Sequence, residues 1–136
     1  MIKGIDHVAI AVSDLDEVLS VLENVLGITV EHREIIEGYD VEVATLKLGG
    51  TAVEVVQGTT PDSVISRFIK KRGPGMHHIA LEVTNIETTI KEIGKRAEMI
   101  DESARPGKEG SRVAFIHPRS TAGVLFELVE NSSGSE

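Results

Sequence analysis

Two histidines and two glutamates stand at matching places in two similar stretches of this chain. The segments DHVAIAV (6–12) and HHIALEV (77–83) place His7 and His78 near the starts of two apolar strand patterns, 71 positions apart. Each is followed, 47 and 49 positions later, by a glutamate inside another apolar stretch: Glu54 in AVEVV (52–56) and Glu127 in LFELV (125–129). A duplicated half that donates one imidazole and one carboxylate can build a four-ligand metal site from His7, Glu54, His78 and Glu127. With no sulfur donor such a site is moderately hard, so Co, Mn, Ni, Zn or Mg all suit it. An octahedral ion there would keep two positions for water or substrate oxygens and could polarise a carbonyl.

Strand alternation is what must bring these groups to one surface. Successive strand side chains point to opposite faces. His7 therefore shares a face with Ala9 and Ala11, and His78 with Ala80 and Glu82, while Val8, Ile10, Val12, Ile79, Leu81 and Val83 face the other way. The branched set suits a surface packed beneath helices, and the set with His and Ala suits a cavity lining. His77 points away from His78 by the same rule, and His32 and His117 fall on other strands or turns. Glu54 and Glu127 lie among apolar neighbours, where an isolated charge is costly. A divalent cation or a salt bridge would have to partner each.

The elements between these residues repeat in order. After the first strand (5–12), Ser13 or Asp14 caps a helix over 15–26 with Leu15, Val18, Leu19, Leu22, Val25 and Leu26 at helical spacing, stopped by Gly27. Strands follow at 28–35, 41–48 and 51–57, the last two joined through Gly49 and Gly50. In the second half the strand 77–83 leads to a helix through a Thr84/Glu87 capping box. That helix runs to Lys95 with Ile86, Ile90 and Ile93 inward, and strands come at 97–101, 112–117 and 124–130. A short helix spans Pro61 to Arg72 before the break at Gly73, Pro74 and Gly75. The expected fold is α+β. Two tandem βαβββ modules, about 4–57 and 76–130, joined by a linker helix over 60–73, form one eight-stranded curved mixed sheet around a metal-binding cleft. Neither module buries enough surface to stand alone, so residues 1–130 read as a single domain and 131–136 as a disordered polar tail.

Bulk properties narrow the function further. The formal charge of −8 disfavours a duplex nucleic-acid surface, which needs clustered cations. Without cysteine there is neither a disulfide framework nor a thiolate site. No signal peptide or long apolar span is recognisable, so a cytoplasmic protein with no membrane partner is expected.

The duplicated plan with His and Glu at these positions resembles the vicinal oxygen chelate superfamily. Within it the stretches DSVISRFIKKRGPGMHHIALEV (62–83) and FIHPRSTAGVLFELV (115–129) are similar to the methylmalonyl-CoA epimerases, and the likeness extends over about residues 4–130. That resemblance implies metal binding by His7, Glu54, His78 and Glu127. It also implies inversion at C2 of an acyl-CoA substrate through an enolate, with one glutamate exchanging the proton on each face. One is Glu127. The other comes from the loop before the third strand, where family members commonly carry Glu-Gln-Gly or Glu-His-Gly and this chain has EGYDV (37–41). An ungapped match puts a glycine at the acid's place. Glu37, with the loop shifted by one residue, is the choice, and Asp40 and Glu42 are alternatives. Cations at Lys70, Lys71, Arg72, Arg105, Lys108, Arg112 and Arg119 are candidates for the coenzyme A phosphates. A homodimer is implied as well. The competing functions are a glyoxalase I acting on a glutathione hemithioacetal through the same ligands, and a non-catalytic small-molecule-binding member of the superfamily.

Overall fold

A computed structural model describes residues 1–132 of the chain. Its regular elements are β1 (Ile2–Ala11), α1 (Leu15–Leu26), β2 (His32–Ile36), β3 (Val41–Leu48), β4 (Thr51–Gly58), α2 (Val64–Arg72), β5 (Gly75–Val83), α3 (Ile86–Gly94), β6 (Arg105–Pro106), β7 (Arg112–Ile116) and β8 (Phe126–Glu130). The strands follow the order β2-β3-β4-β1-β5-β8-β7-β6 in an eight-stranded mixed sheet. Two compact units divide the chain differently from the expected modules: His7–His77 is one, and Met1–Asp6 with the chain from His78 onward is the other. The boundaries fall inside β1 and inside β5.

In the unit His7–His77, β1 runs parallel to β4, and β4 and β2 are each antiparallel to β3. One face of this sheet packs Val12, Ala44, Leu46 and Val55 against Leu15 and Leu19 of α1. Full burial of each such leucine is worth about 1.5–3 kcal/mol. The other face presents Ala9, Ala11, Val41, Val43 and Val56, on which Ile65 of α2 is buried with Phe68 and Ile69 beside it. Asp14 caps α1 by accepting the Glu17 N–H. Gly27 closes it in the left-handed region, with Ile28 N–H returning to Leu22. That closure holds residues 27 and 28 as a helix cap, so β2 begins at His32 rather than at 28. Where α2 starts, Ser63 and Ser66 lie so close to Gly58 that an added Cβ would overlap both hydroxyls.

In the second unit, β5 is parallel to β8, and β8 is antiparallel to β7. Val83, Ala114, Ile116 and Leu128 pack against Ile86 and Ile90 of α3. Asn85 is the cap of α3 and accepts from Thr88 N–H. The expected Thr84/Glu87 box is one residue out of frame and does not form. The expected strand 97–101 is also absent. Met99 makes a single bridge to Ile116, and the Asp101 carboxylate takes the Phe115 N–H at 2.8 Å in place of a backbone carbonyl, which ends the ladder. The outer strand is instead the two-residue β6, kept short by Pro106 at the sheet edge. Asn131, assigned to a disordered tail, is half-buried and donates to Asp6 at 2.8 Å and Glu82 at 2.9 Å. The rest of that tail beyond Ser132 lies outside the described residues.

One repeated device ties sheet to helix in both units. The Gln57 side-chain oxygen accepts the Leu15 N–H at 2.7 Å, and Glu130 accepts the Ile86 N–H at 2.7 Å. Each acceptor stands three residues after a candidate glutamate, and each donor eight residues after a candidate histidine.

Candidate active site

In the first unit, His7 sits opposite Ala52 in the parallel β1–β4 ladder, and Glu54 opposite Ala9. The histidine and the glutamate are thus diagonal neighbours on one face, separated by an alanine that is 0% exposed. The small residue leaves room for the two longer chains to approach, and His7 Nε2 lies 3.5 Å from Glu54 Oε1. Both residues are buried, at 6% and 8% exposure. The second unit repeats the arrangement. Glu127 stands opposite Ala80, also fully buried, and His78 Nε2 lies 2.9 Å from Glu127 Oε1.

The strands beside the glutamates complete each pair and differ between the units. Thr45 of β3 is directly across from Glu54 and 6% exposed. At the equivalent place Phe115 of β7 is across from Glu127, and its ring meets the His78 ring edge-to-face at 5.3 Å. Reasoning from sequence missed Thr45 and Phe115. Aligning the β3–β4 hairpin on the β7–β8 hairpin would have exposed them, but only once the register of each was known. His77 was expected to point away from His78. It is half-buried, with its ring against Phe68 of α2 at 4.9 Å.

The carboxylates proposed for the loop are distributed as follows. Glu37 opens a 3₁₀ turn over Glu37–Tyr39, between β2 and β3, and is exposed. Asp40 closes that turn in the left-handed region, and its carbonyl accepts the Thr59 N–H at 2.8 Å. Glu42 alternates onto the α1 side of β3 with Ala44 and Leu46, away from Thr45. There it binds Arg33 at 2.7 Å, and Arg33 also binds Asp16 of α1 at 2.6 Å. Glu42, then Asp16, hold the Arg33 guanidinium above its ordinary pKa through these hydrogen bonds.

The remaining histidines have local roles. His32 contacts Glu34 at 2.9 Å on the exposed side of β2. The His117 Nδ1 accepts the Arg119 N–H after β7. Three of the suggested phosphate-binding cations are committed elsewhere: Arg105 to Asp101 at 3.0 Å, Arg119 to Glu98 at 3.1 Å, and Arg112 to Glu87. The Arg112 guanidinium holds the Glu87 carboxyl below its ordinary range. Lys70, Lys71 and Arg72 form the exposed last turn of α2, where they favour the helix dipole, with Arg72 over the Phe68 ring at 5.8 Å.

Each pair combines an imidazole with a buried carboxylate on the adjacent strand; His7 is buried as well, and His78 is half-buried. Such donors fit a divalent cation.

The comparisons agree with the fold. Residues 6–115 match the model of the glyoxalase/bleomycin resistance protein/dioxygenase superfamily. The chain belongs to that superfamily, and its tandem βαβββ units are those of the vicinal oxygen chelate fold. It is 36% identical over 126 residues to the mitochondrial methylmalonyl-CoA epimerase of Bos taurus, covering 91% of this chain and 72% of that one. A crystal structure of methylmalonyl-CoA epimerase from Mycobacterium tuberculosis superposes with a TM-score of 0.92 at 33% identity, over 98% of this chain and 91% of that chain. A methylmalonyl-CoA epimerase in complex with methylmalonyl-CoA and NH4+ gives 0.92 at 31%, over 98% and 97%. Within the superfamily, the chain is a member of the epimerase family and an enzyme of that kind. No described helix is long and apolar enough to cross a membrane.

Proposed function

We propose that this protein inverts C2 of methylmalonyl-CoA and that His7, Glu54, His78 and Glu127 together hold one divalent cation. The observation that carries this is the repetition, at the same strand register in both units, of a histidine beside a buried glutamate. Two accidents would not reproduce the intervening fully buried alanine as well. Support for the substrate comes from the family relatives, one of them solved with methylmalonyl-CoA.

C2 of that substrate lies between a thioester and a carboxylate, so its proton is removed with the charge delocalised as an enolate. When bound, the cation supplies Lewis-acid stabilisation of that charge, typically several kcal/mol. The chain must then supply one proton-transfer group for each face of the planar carbon. Glu127 takes one face, its carboxylate lying between the apolar neighbours Ala80 and Phe115. Glu37 takes the other from the turn before β3. Of the alternatives, Glu42 is disfavoured by its place on the opposite face of β3 and its bond to Arg33. Asp40 remains the substitute. The last turn of α2, Lys70 to Arg72, offers the positive surface for the coenzyme's phosphates. The same reading includes a cytoplasmic homodimer, which gel filtration with light scattering of the intact chain would test.

The decisive experiment incubates metal-loaded protein with one epimer of methylmalonyl-CoA in deuterated water, following label and configuration at C2 by NMR. Inversion with incorporation of deuterium is expected. Glu37→Gln and Glu127→Gln are each expected to lower inversion by at least a hundredfold. Wild-type rates in Glu37→Gln would move that role to Asp40. Turnover of the glutathione hemithioacetal in place of methylmalonyl-CoA would reverse the assignment.

A further inference from the structure

The two His–Glu pairs match in their histidine, glutamate and intervening alanine, yet differ at the residue across from the glutamate. Glu127 faces Phe115, whose ring packs on His78. Glu54 faces Thr45, a hydroxyl that is 6% exposed, and on its other side Ala9, which has no polar side-chain atom. A buried hydroxyl must be hydrogen-bonded somewhere. Thr45 is also β-branched, so its χ1 is restricted and few positions are open to its hydroxyl oxygen. A glutamate side chain has three torsions, and a donor held across the ladder restricts them. Partners of this kind around ligating side chains typically change metal affinity by 10- to 100-fold.

From this asymmetry we infer that Thr45 is a positioning residue, which orients the Glu54 carboxylate so that this glutamate serves only as a ligand. Phe115 does the equivalent for the imidazole of the second pair, whose Glu127 exchanges protons besides being a ligand. The inference rests on the proposed metal site but concerns a residue outside the four ligands. It also predicts an unequal division of labour between halves that the repeat would suggest are equal.

The test is calorimetric titration of the metal-free full chain with Co2+ alone, followed by inversion rates at saturating Co2+. Wild type is expected to bind one ion. Thr45→Val, which keeps shape and removes the hydroxyl, is expected to weaken binding by 10-fold or more. Thr45→Ser, which restores the donor, should return affinity to within about threefold of wild type. At saturating Co2+ the inversion rate of Thr45→Val should fall by a smaller factor than its affinity does. Should Thr45→Val fail to fold, Thr45→Ala compared with Thr45→Ser provides the same contrast. Thr45→Val binding Co2+ as tightly as wild type, while Glu54→Ala does not, overturns the role of Thr45 and leaves the metal site standing. A wild-type chain that binds no ion overturns both.

Discussion

At the scale of single residues, small side chains matter as much as the reactive ones. Ala9 and Ala80 are fully buried between a histidine and the row of a glutamate. Any larger group there would part the pair. Ala9→Leu is therefore expected to abolish Co2+ binding in calorimetry and to cost about 1–3 kcal/mol in urea unfolding through overpacking. Val8→Leu, on the other face and only half-buried, should cost less than about 1.5 kcal/mol and leave binding unchanged. Equal loss of binding in both would show that the strand as a whole, and not the alanine gap, is what matters. These alanines were legible in the sequence as the small members of an alternating strand. Their task was not, because the residue facing each of them is set by the ladder.

At the scale of elements, α1 and α3 are each anchored to the strand that carries a candidate glutamate. Gln57 and Glu130 accept the first helical N–H of α1 and α3, groups that have no partner within their own helix. Gln57→Ala and Glu130→Ala should each destabilise by about 1 kcal/mol in urea titrations, as the loss of a helix cap does, with unchanged m-values. A negligible effect of both would mean that water replaces the acceptor without penalty. Periodicity and stop residues were enough to place both ends of α1, and those of β3 likewise. It failed where side chains displaced backbone bonding. Asp101 took a strand's hydrogen bond, Asn85 out-competed Thr84 as a cap, and the Gly27 closure delayed β2.

For the molecule as a whole, a cation bound only by the folded chain must add to stability by mass action. At a free concentration of 100 times Kd the gain is about 2.7 kcal/mol, which raises Tm by roughly 10 °C for a chain of this size. Chelation of purified, metal-loaded protein should lower Tm by that amount, and Co2+ should restore it. A Tm indifferent to both would leave the four ligands as two ordinary ion pairs. The formal charge of −8 acts in the same direction, since a bound divalent cation reduces it.

Repetition and alternation, both properties of the linear order, already specified two βαβββ units, the histidines and glutamates worth watching, and the face each strand would turn to its helix. They are local, and local rules survive folding. Distance between strands is not local. That Glu54 meets Thr45 and Glu127 meets Phe115, that Glu42 is spent on Arg33, and that His77 rests on Phe68 all follow from registers and packing between segments far apart in the chain. Those pairings are chosen by the summed burial and hydrogen bonding of the folded units, which no stretch of sequence contains alone.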